Sequence, residues 1–208
     1  MSPIRTLGRG LGVAVVCAAA SACISLFPKE NPTQLYRFGT SPPAPAAQAG
    51  GPRFTIVDPT VEFDREAAGD RILTVTGDEA AYIKGSRWVS SASTLFESAL
   101  ENAFFADAGA ARLMARGEVG HGDYALRLDV REFDARYDHG AGAAPQVVVR
   151  LHADLSRLDG RTLAGEHTFE ARIDAKENRA GAIAEAFNQA VAKVLDELVT
   201  WVDARGGS

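Results

Sequence analysis

The chain has 208 residues, is 46% apolar and 24% charged, and carries a formal net charge of −5. That is the composition of a folded protein rather than a disordered one, and an acidic chain has no general attraction for nucleic acid or anionic lipid headgroups. With only two cysteines, stability must come from packing rather than from a disulfide framework.

The N-terminus reads as a secretory signal. Arg5 and Arg9 are followed by Leu11 to Ala20, in which every residue is apolar or Gly, and no acid precedes Cys23. The apolar stretch is too short for a stop-transfer helix. The small residues Ala20-Ser21-Ala22 before Cys23 resemble the bacterial lipobox, in which the cysteine thiol takes a diacylglycerol and becomes the acylated first residue. Cys17 is a poorer candidate because bulky Val16 precedes it, and the alternative for the whole leader is an ordinary secreted protein cut near Ala22. The predicted organisation is a signal peptide over 1–22, a lipidated tether over 23–33 and one domain over 34–205. Removing 22 residues from 208 takes away two cations and no acids, which leaves 186 residues and moves the charge from −5 to −7. A chain of that length can bury a real core.

Gln34 to Phe38 alternates polar and apolar residues as a first strand would, and Thr40 to Pro52, built from Pro, Ala, Gly, Gln, Ser and Thr, reads as a loose linker. Arg53 to Val57 is a strand stopped by Asp58-Pro59, with Val61 and Phe63 extending it as an edge segment. Arg71 to Thr76 is a β-branched strand, and Ala81 to Lys84 a further one closed by Gly85. Ser90 or Ser91 caps a helix whose apolar face holds Leu95, Ala99 and Ala103 beside Phe96, Leu100 and Phe104. Tyr124, Leu126, Leu128 and Val130 alternate with polar residues, and Phe133 falls out of phase, which predicts a bulge or a twist there. Val147 to Leu158 and Thr162 to Ile173 flank Asp159-Gly160-Arg161 as a hairpin, with Leu163, Phe169 and Ile173 on one face. The last helix spans about Arg179 to Asp203, with a stripe of Ile183, Phe187, Val191, Val194, Leu198 and Val202. The predicted fold is a single α+β domain: a mostly antiparallel sheet packed by two amphipathic helices.

A search for chemistry returns little. His152 and His167 fall within about one residue of opposite each other on the hairpin. They raise a zinc pair with Asp154 or Glu166 as a guessed third ligand, and are read instead as polar residues on the wet sheet face, with no metal expected. Asp129, Glu132, Asp134 and Asp138 form an acidic cluster, read as a solvated face rather than a glycosidase pair. Ser86, Ser90, Ser91 and Ser93 lack a nucleophile elbow, and no phosphate loop, paired-cysteine or zincin motif is present. Trp88, with Arg87 and Tyr82, is either a core aromatic with polar neighbours or an exposed interaction surface. No enzyme activity and no cofactor beyond the acyl lipid on Cys23 is expected.

One resemblance runs through these segments. The order is the Cys23 lipobox, Tyr36-Arg37-Phe38, Val57-Asp58-Pro59, Arg71 to Thr76, Glu79-Ala80-Ala81-Tyr82, Arg87-Trp88 and a helix opening Ser93-Thr94-Leu95-Phe96. It resembles the ABC-type transport auxiliary lipoprotein family, to which paraquat-inducible protein C belongs, over about residues 20–203. The long Pro/Ala linker and the Ala at the usual Leu position of the lipobox are departures. The resemblance implies a non-catalytic, homo-oligomeric docking or capping lipoprotein of the outer membrane. Its partner would be a periplasmic protein with mammalian-cell-entry domains that moves lipid with a permease and an ATPase; no nucleic acid is implied. The alternative role is an outer-membrane lipoprotein that scaffolds or regulates cell-wall synthesis enzymes.

Overall fold

The computed structural model describes residues 32–39, 53–107, 109–114 and 117–206. The signal peptide, Cys23 and the 40–52 linker lie outside these residues. Eight strands form one mixed sheet: β1 (Gln34–Tyr36), β2 (Phe54–Phe63), β3 (Arg71–Thr76), β4 (Glu79–Trp88), β5 (Ala111–Leu113), β6 (Tyr124–Arg136), β7 (Gln146–Arg157) and β8 (Leu163–Asp174). Two helices, α1 (Ala92–Ala106) and α2 (Ala180–Gly206), pack on the sheet's inner face and share one core with it. The predicted α+β domain is the observed one.

β6 organises the sheet. One edge of it runs antiparallel to β7, and β7 in turn to β8. Its other edge takes β2 in parallel along its first half and β3 in parallel at its end. The long ladders are therefore antiparallel, as expected, while β1–β4, β2–β5, β2–β6 and β3–β6 are parallel.

Burial alternates as the pleat requires. Leu126, Leu128 and Val130 of β6 and Val149, Leu151, Ala153 and Leu155 of β7 are fully buried under the helices. The ladder slips between Val130 and Glu132, which brings Phe133 back to the inner face, the bulge predicted from its phase. The α2 stripe from Ile183 to Val202 is buried throughout.

Three local expectations are corrected, and one strand is added. Asp58-Pro59 does not stop its strand, which runs on through the expected edge extension at Val61 and Phe63. The two residues together stand opposite Leu126 alone, and β5 pairs only with Phe54 to Ile56, so the proline falls where its missing N–H forfeits no second ladder bond. Gly85 does not close β4: with φ +70° it sits in a wide bulge in which Ile83 to Ser86 oppose Ile72 alone, and the strand continues to Trp88. Leu163 does not share the face of Phe169. Ala164 is an extra residue between the pairs Leu155–Gly165 and Ser156–Leu163, which leaves Leu163 57% exposed while Phe169 is buried. β5, three residues at the sheet's edge, carries no periodic signal and has no counterpart in the sequence reading.

Ser91, of the two serines considered, caps α1, its Oγ accepting from the Thr94 N–H at 3.2 Å. Ser91→Ala is expected to cost about 1 kcal/mol, read as a shift in the denaturation midpoint.

Candidate interaction surface

The structure separates the three residues predicted to form an interaction surface. Tyr36 and Trp88 are paired in register on β1 and β4, as are Leu35 and Arg87, so one pair faces in and the other out. Trp88 is only 2% exposed. Its ring meets Phe38 and Phe187 edge-on at centroid distances of 5.0 and 5.3 Å and Phe133 at 6.4 Å. It is a core aromatic, and its ring is not available to a partner in this conformation. The reason is register: its strand neighbour Arg87 takes the outward position.

Arg87 and Tyr82 stay at the surface. Arg87 Nη1 donates to both carboxylate oxygens of Asp70, at 3.1 and 2.9 Å, with both side chains about half exposed. The Arg71 guanidinium stacks 3.7 Å above the Tyr82 ring, whose hydroxyl donates to the Glu66 carbonyl at 3.1 Å. Leu35, 61% exposed and in register with Arg87, and Val89, 43% exposed, add apolar area to the same end of the sheet. Sequence reasoning missed Leu35, whose alternation with Tyr36 marks it as outward-facing. Aromatic and arginine side chains beside exposed apolar ones are the make-up of a protein contact.

A second concave feature lies between the helices. It is a groove of about 490 Å³ with Ala99 and Ala103 of α1 and Val191, Leu195 and Val199 of α2 among its walls, and Asn102, Asp107, Asn188 and Asp196 beside them. Gly39 also lines it, its N–H donating to Asn188 Oδ1 at 2.8 Å. Gly39 has φ +68°, and a Cβ there would fall 2.4 Å from the Ala99 Cβ. Gly39→Ala therefore meets backbone strain and a steric clash together. It is expected to destabilise the domain by about 1–3 kcal/mol in urea denaturation.

The acidic cluster is held by arginines on the sheet's outer face. Arg131 pairs with Asp129 at 2.8 Å, Arg136 with Asp134 at 2.9 Å and with Glu132 at 3.2 Å, and Arg150 with Glu132 at 3.0 Å. Glu170 extends the network to Arg150 at 2.6 Å and to Arg172. The expectation of a fully solvated face fails for Asp134. It is 5% exposed, and burial pushes its carboxyl above the usual range against the opposing pull of Arg136. Glu170 goes the other way, held low by its hydrogen bonds to Arg150 and Arg172. A lowered folded-state value contributes stability above the unfolded-state value, and that stability is lost as pH falls through the folded one. Glu170→Gln is thus expected to lower stability at neutral pH, and the difference from the wild type to shrink progressively as pH falls below the ordinary glutamate range, measured by denaturant titration across a pH series.

The two hairpin histidines do not form a pair. His152 stands opposite Thr168 and His167 opposite Ala153, so the one-residue offset puts them on opposite faces. His167 lies against Phe169 and Trp201 on the helix side.

These observations define a two-layer α+β domain whose candidate surfaces are suited to binding. The carboxylates of the acidic cluster for which pairs are seen are each matched to an arginine. Residues 36–199 match the family model of the ABC-type transport auxiliary lipoprotein component, and the chain belongs to that family. Its members are lipoproteins auxiliary to ABC-type transport. The fold is similar to that of a Xanthomonas campestris protein assigned to the family model DUF330, at 24% identity and TM-score 0.69, covering 84% of this chain and 97% of that one. It is also similar to an uncharacterised protein at 15% identity and TM-score 0.65 (83% and 99% covered). A hypothetical protein of Chlamydia trachomatis matches at 6% identity and TM-score 0.50 (74% and 97% covered). No curated protein matches the chain significantly. No helix among the described residues is long and apolar enough to cross a membrane.

Proposed function

We propose that this chain is an outer-membrane-anchored accessory lipoprotein of an ABC-type lipid transport system, a non-catalytic docking or capping subunit. Its partner is a periplasmic protein with mammalian-cell-entry domains, and it works as a homo-oligomer. The observation that carries the reading is the family match over residues 36–199, which runs from β1 to the last turns of α2. Two features support the finer role. The lipobox-like Ala20-Ser21-Ala22-Cys23 precedes the matched region, and Ile24 follows the cysteine instead of the aspartate that retains lipoproteins at the inner membrane.

A tethered subunit needs only a modest interface, because the anchor raises the effective concentration of its partner. The exposed Leu35, Arg87 and Val89, with the partly buried Tyr82 beside them, suit that scale of contact. Energy for transport would come from the cytoplasmic ATPase, and the domain itself makes or breaks no bond.

The test is a pulldown of the acylated chain from detergent extracts, with mass spectrometry of proteins and lipids. A mammalian-cell-entry protein is expected to co-purify, and Arg87→Glu is expected to weaken its recovery about tenfold without lowering the thermal midpoint by more than a few degrees. Recovery of cell-wall synthases in its place would overturn the reading.

A further inference from the structure

Strands β7 and β8 bring three metal-ligating side chains to one patch of the outer face. His152 and Asp154 are two residues apart on β7 and point to the same side. Glu166 of β8 lies directly opposite Asp154, and Thr168 directly opposite His152. One ligand atom from each of His152, Asp154 and Glu166 falls within 4.8 Å of the other two. His152 Nε2 is 3.3 Å from Asp154 Oδ1, and its Nδ1 is 3.0 Å from Thr168 Oγ1.

The charge pattern around the patch is a separate observation. On this face Asp129, Glu132, Asp134 and Glu170 are each matched to at least one arginine. Asp154 and Glu166 are not: among the described residues neither pairs with Arg or Lys. Arg127, in register with Asp154 on β6, turns away to Glu62 at 2.8 Å. Two carboxylates directly across a ladder repel one another. A cation between them would remove that repulsion, and the structure supplies an imidazole beside them instead of a guanidinium.

We propose that His152, Asp154 and Glu166 bind a divalent transition-metal cation, with zinc the best fit. One imidazole nitrogen and two carboxylates form a donor set suited to zinc, cobalt or nickel, whereas calcium and magnesium favour all-oxygen sets. Zinc–ligand bonds of about 2.0–2.2 Å put tetrahedral donors roughly 3.3–3.5 Å apart. His152 and Asp154 already have that spacing, and Glu166, exposed and on a flexible stem, closes the remainder. In the tautomer that donates Nδ1–H to the Thr168 hydroxyl, the imidazole turns its Nε2 lone pair toward the carboxylates, the outer-shell support that metal-bound histidines ordinarily have. Three protein ligands leave one coordination position open to water or to a donor from another molecule.

The experiment uses the untagged full chain in detergent, stripped with chelator, then titrated with zinc chloride by calorimetry and with cobalt chloride by visible absorption. One zinc per chain is expected, with a cobalt spectrum of tetrahedral intensity. His152→Ala and the near-isosteric Glu166→Gln should each weaken zinc binding at least tenfold with an unchanged circular dichroism spectrum. His139→Gln, in a turn away from the patch, should leave it unchanged. Absence of saturable zinc uptake by the wild type would overturn the proposal. So would uptake that survives both His152→Ala and Glu166→Gln, since the ion would then be bound elsewhere.

Discussion

Replacing Trp88 by alanine is expected to cost about 3–5 kcal/mol, the range for emptying a buried aromatic position. The ring is 2% exposed and sits where β1, β4, β6 and α2 converge. It touches Phe38, which follows β1, and Phe187 on α2, with Phe133 of β6 beyond. Edge-to-face contacts of this kind add about 0.5–1.5 kcal/mol beyond the area they bury. The hub cannot collapse inward easily, because Phe133 and Phe187 already pack against one another, tilted, at a centroid distance of 4.8 Å. For a domain of this size a loss of that order lowers the thermal midpoint by about 6–20 °C. Arg87→Ala, next in sequence, is expected to cost less than about 1 kcal/mol, because a half-exposed ion pair contributes little. Calorimetric melting of the two variants side by side is the check. A Trp88→Ala protein that melts with the wild type while failing to capture its partner would mean that the ring turns outward in solution.

That contrast also marks where the sequence was legible. Periodicity is a local property, so long segments with one clean period are readable: the β6 alternation to Val130, the β7–β8 hairpin around Asp159-Gly160-Arg161, and the six-residue stripe of α2 stand where their patterns put them, and β6 slips at Arg131, just before the out-of-phase Phe133. What failed was decided by partners distant in sequence. Pro59 sits in a strand because β5 ends before reaching it, and β5 itself is too short to carry a period. Gly85 reads as punctuation, yet it lies in a bulge after which β4 runs on to pair Trp88 with Tyr36 of β1. The parallel pairings could not be read because each joins strands separated by several other elements.

The site residues follow the same logic. His152 and His167 were counted outward from the turn to within one position, and in a sheet one position is the difference between two faces. Asp134 reads as one of a solvated acidic cluster, yet it is buried on the outer face, and burial is the largest influence on its carboxyl. Trp88 had two readings open because a turn and a helix cap border it. Only the β1–β4 register chooses between them.

The second large effect concerns the proposed anchor. Cys23→Ser, secreted behind a leader that a general signal peptidase removes, is expected to move the protein from the membrane pellet to the soluble periplasmic fraction. Each buried methylene contributes about 0.8 kcal/mol to membrane binding, so one chain holds marginally, whereas two or more hold stably. No other element takes over that task among the described residues, where no helix meets the length and apolarity needed to span a bilayer. The domain should be thermally unchanged, because every buried apolar side chain identified lies at Phe38 or beyond. Capture of the mammalian-cell-entry partner should nonetheless fall about a hundredfold, since losing the tether turns an encounter confined to one membrane into one between free molecules. The two readouts separate the causes. A soluble variant that keeps its melting point but loses its partner has lost only location. Should Cys23→Ser protein still sediment with outer membranes as the wild type does, the acyl anchor is not what holds this chain there, and the proposed geometry of a tethered docking subunit fails with it.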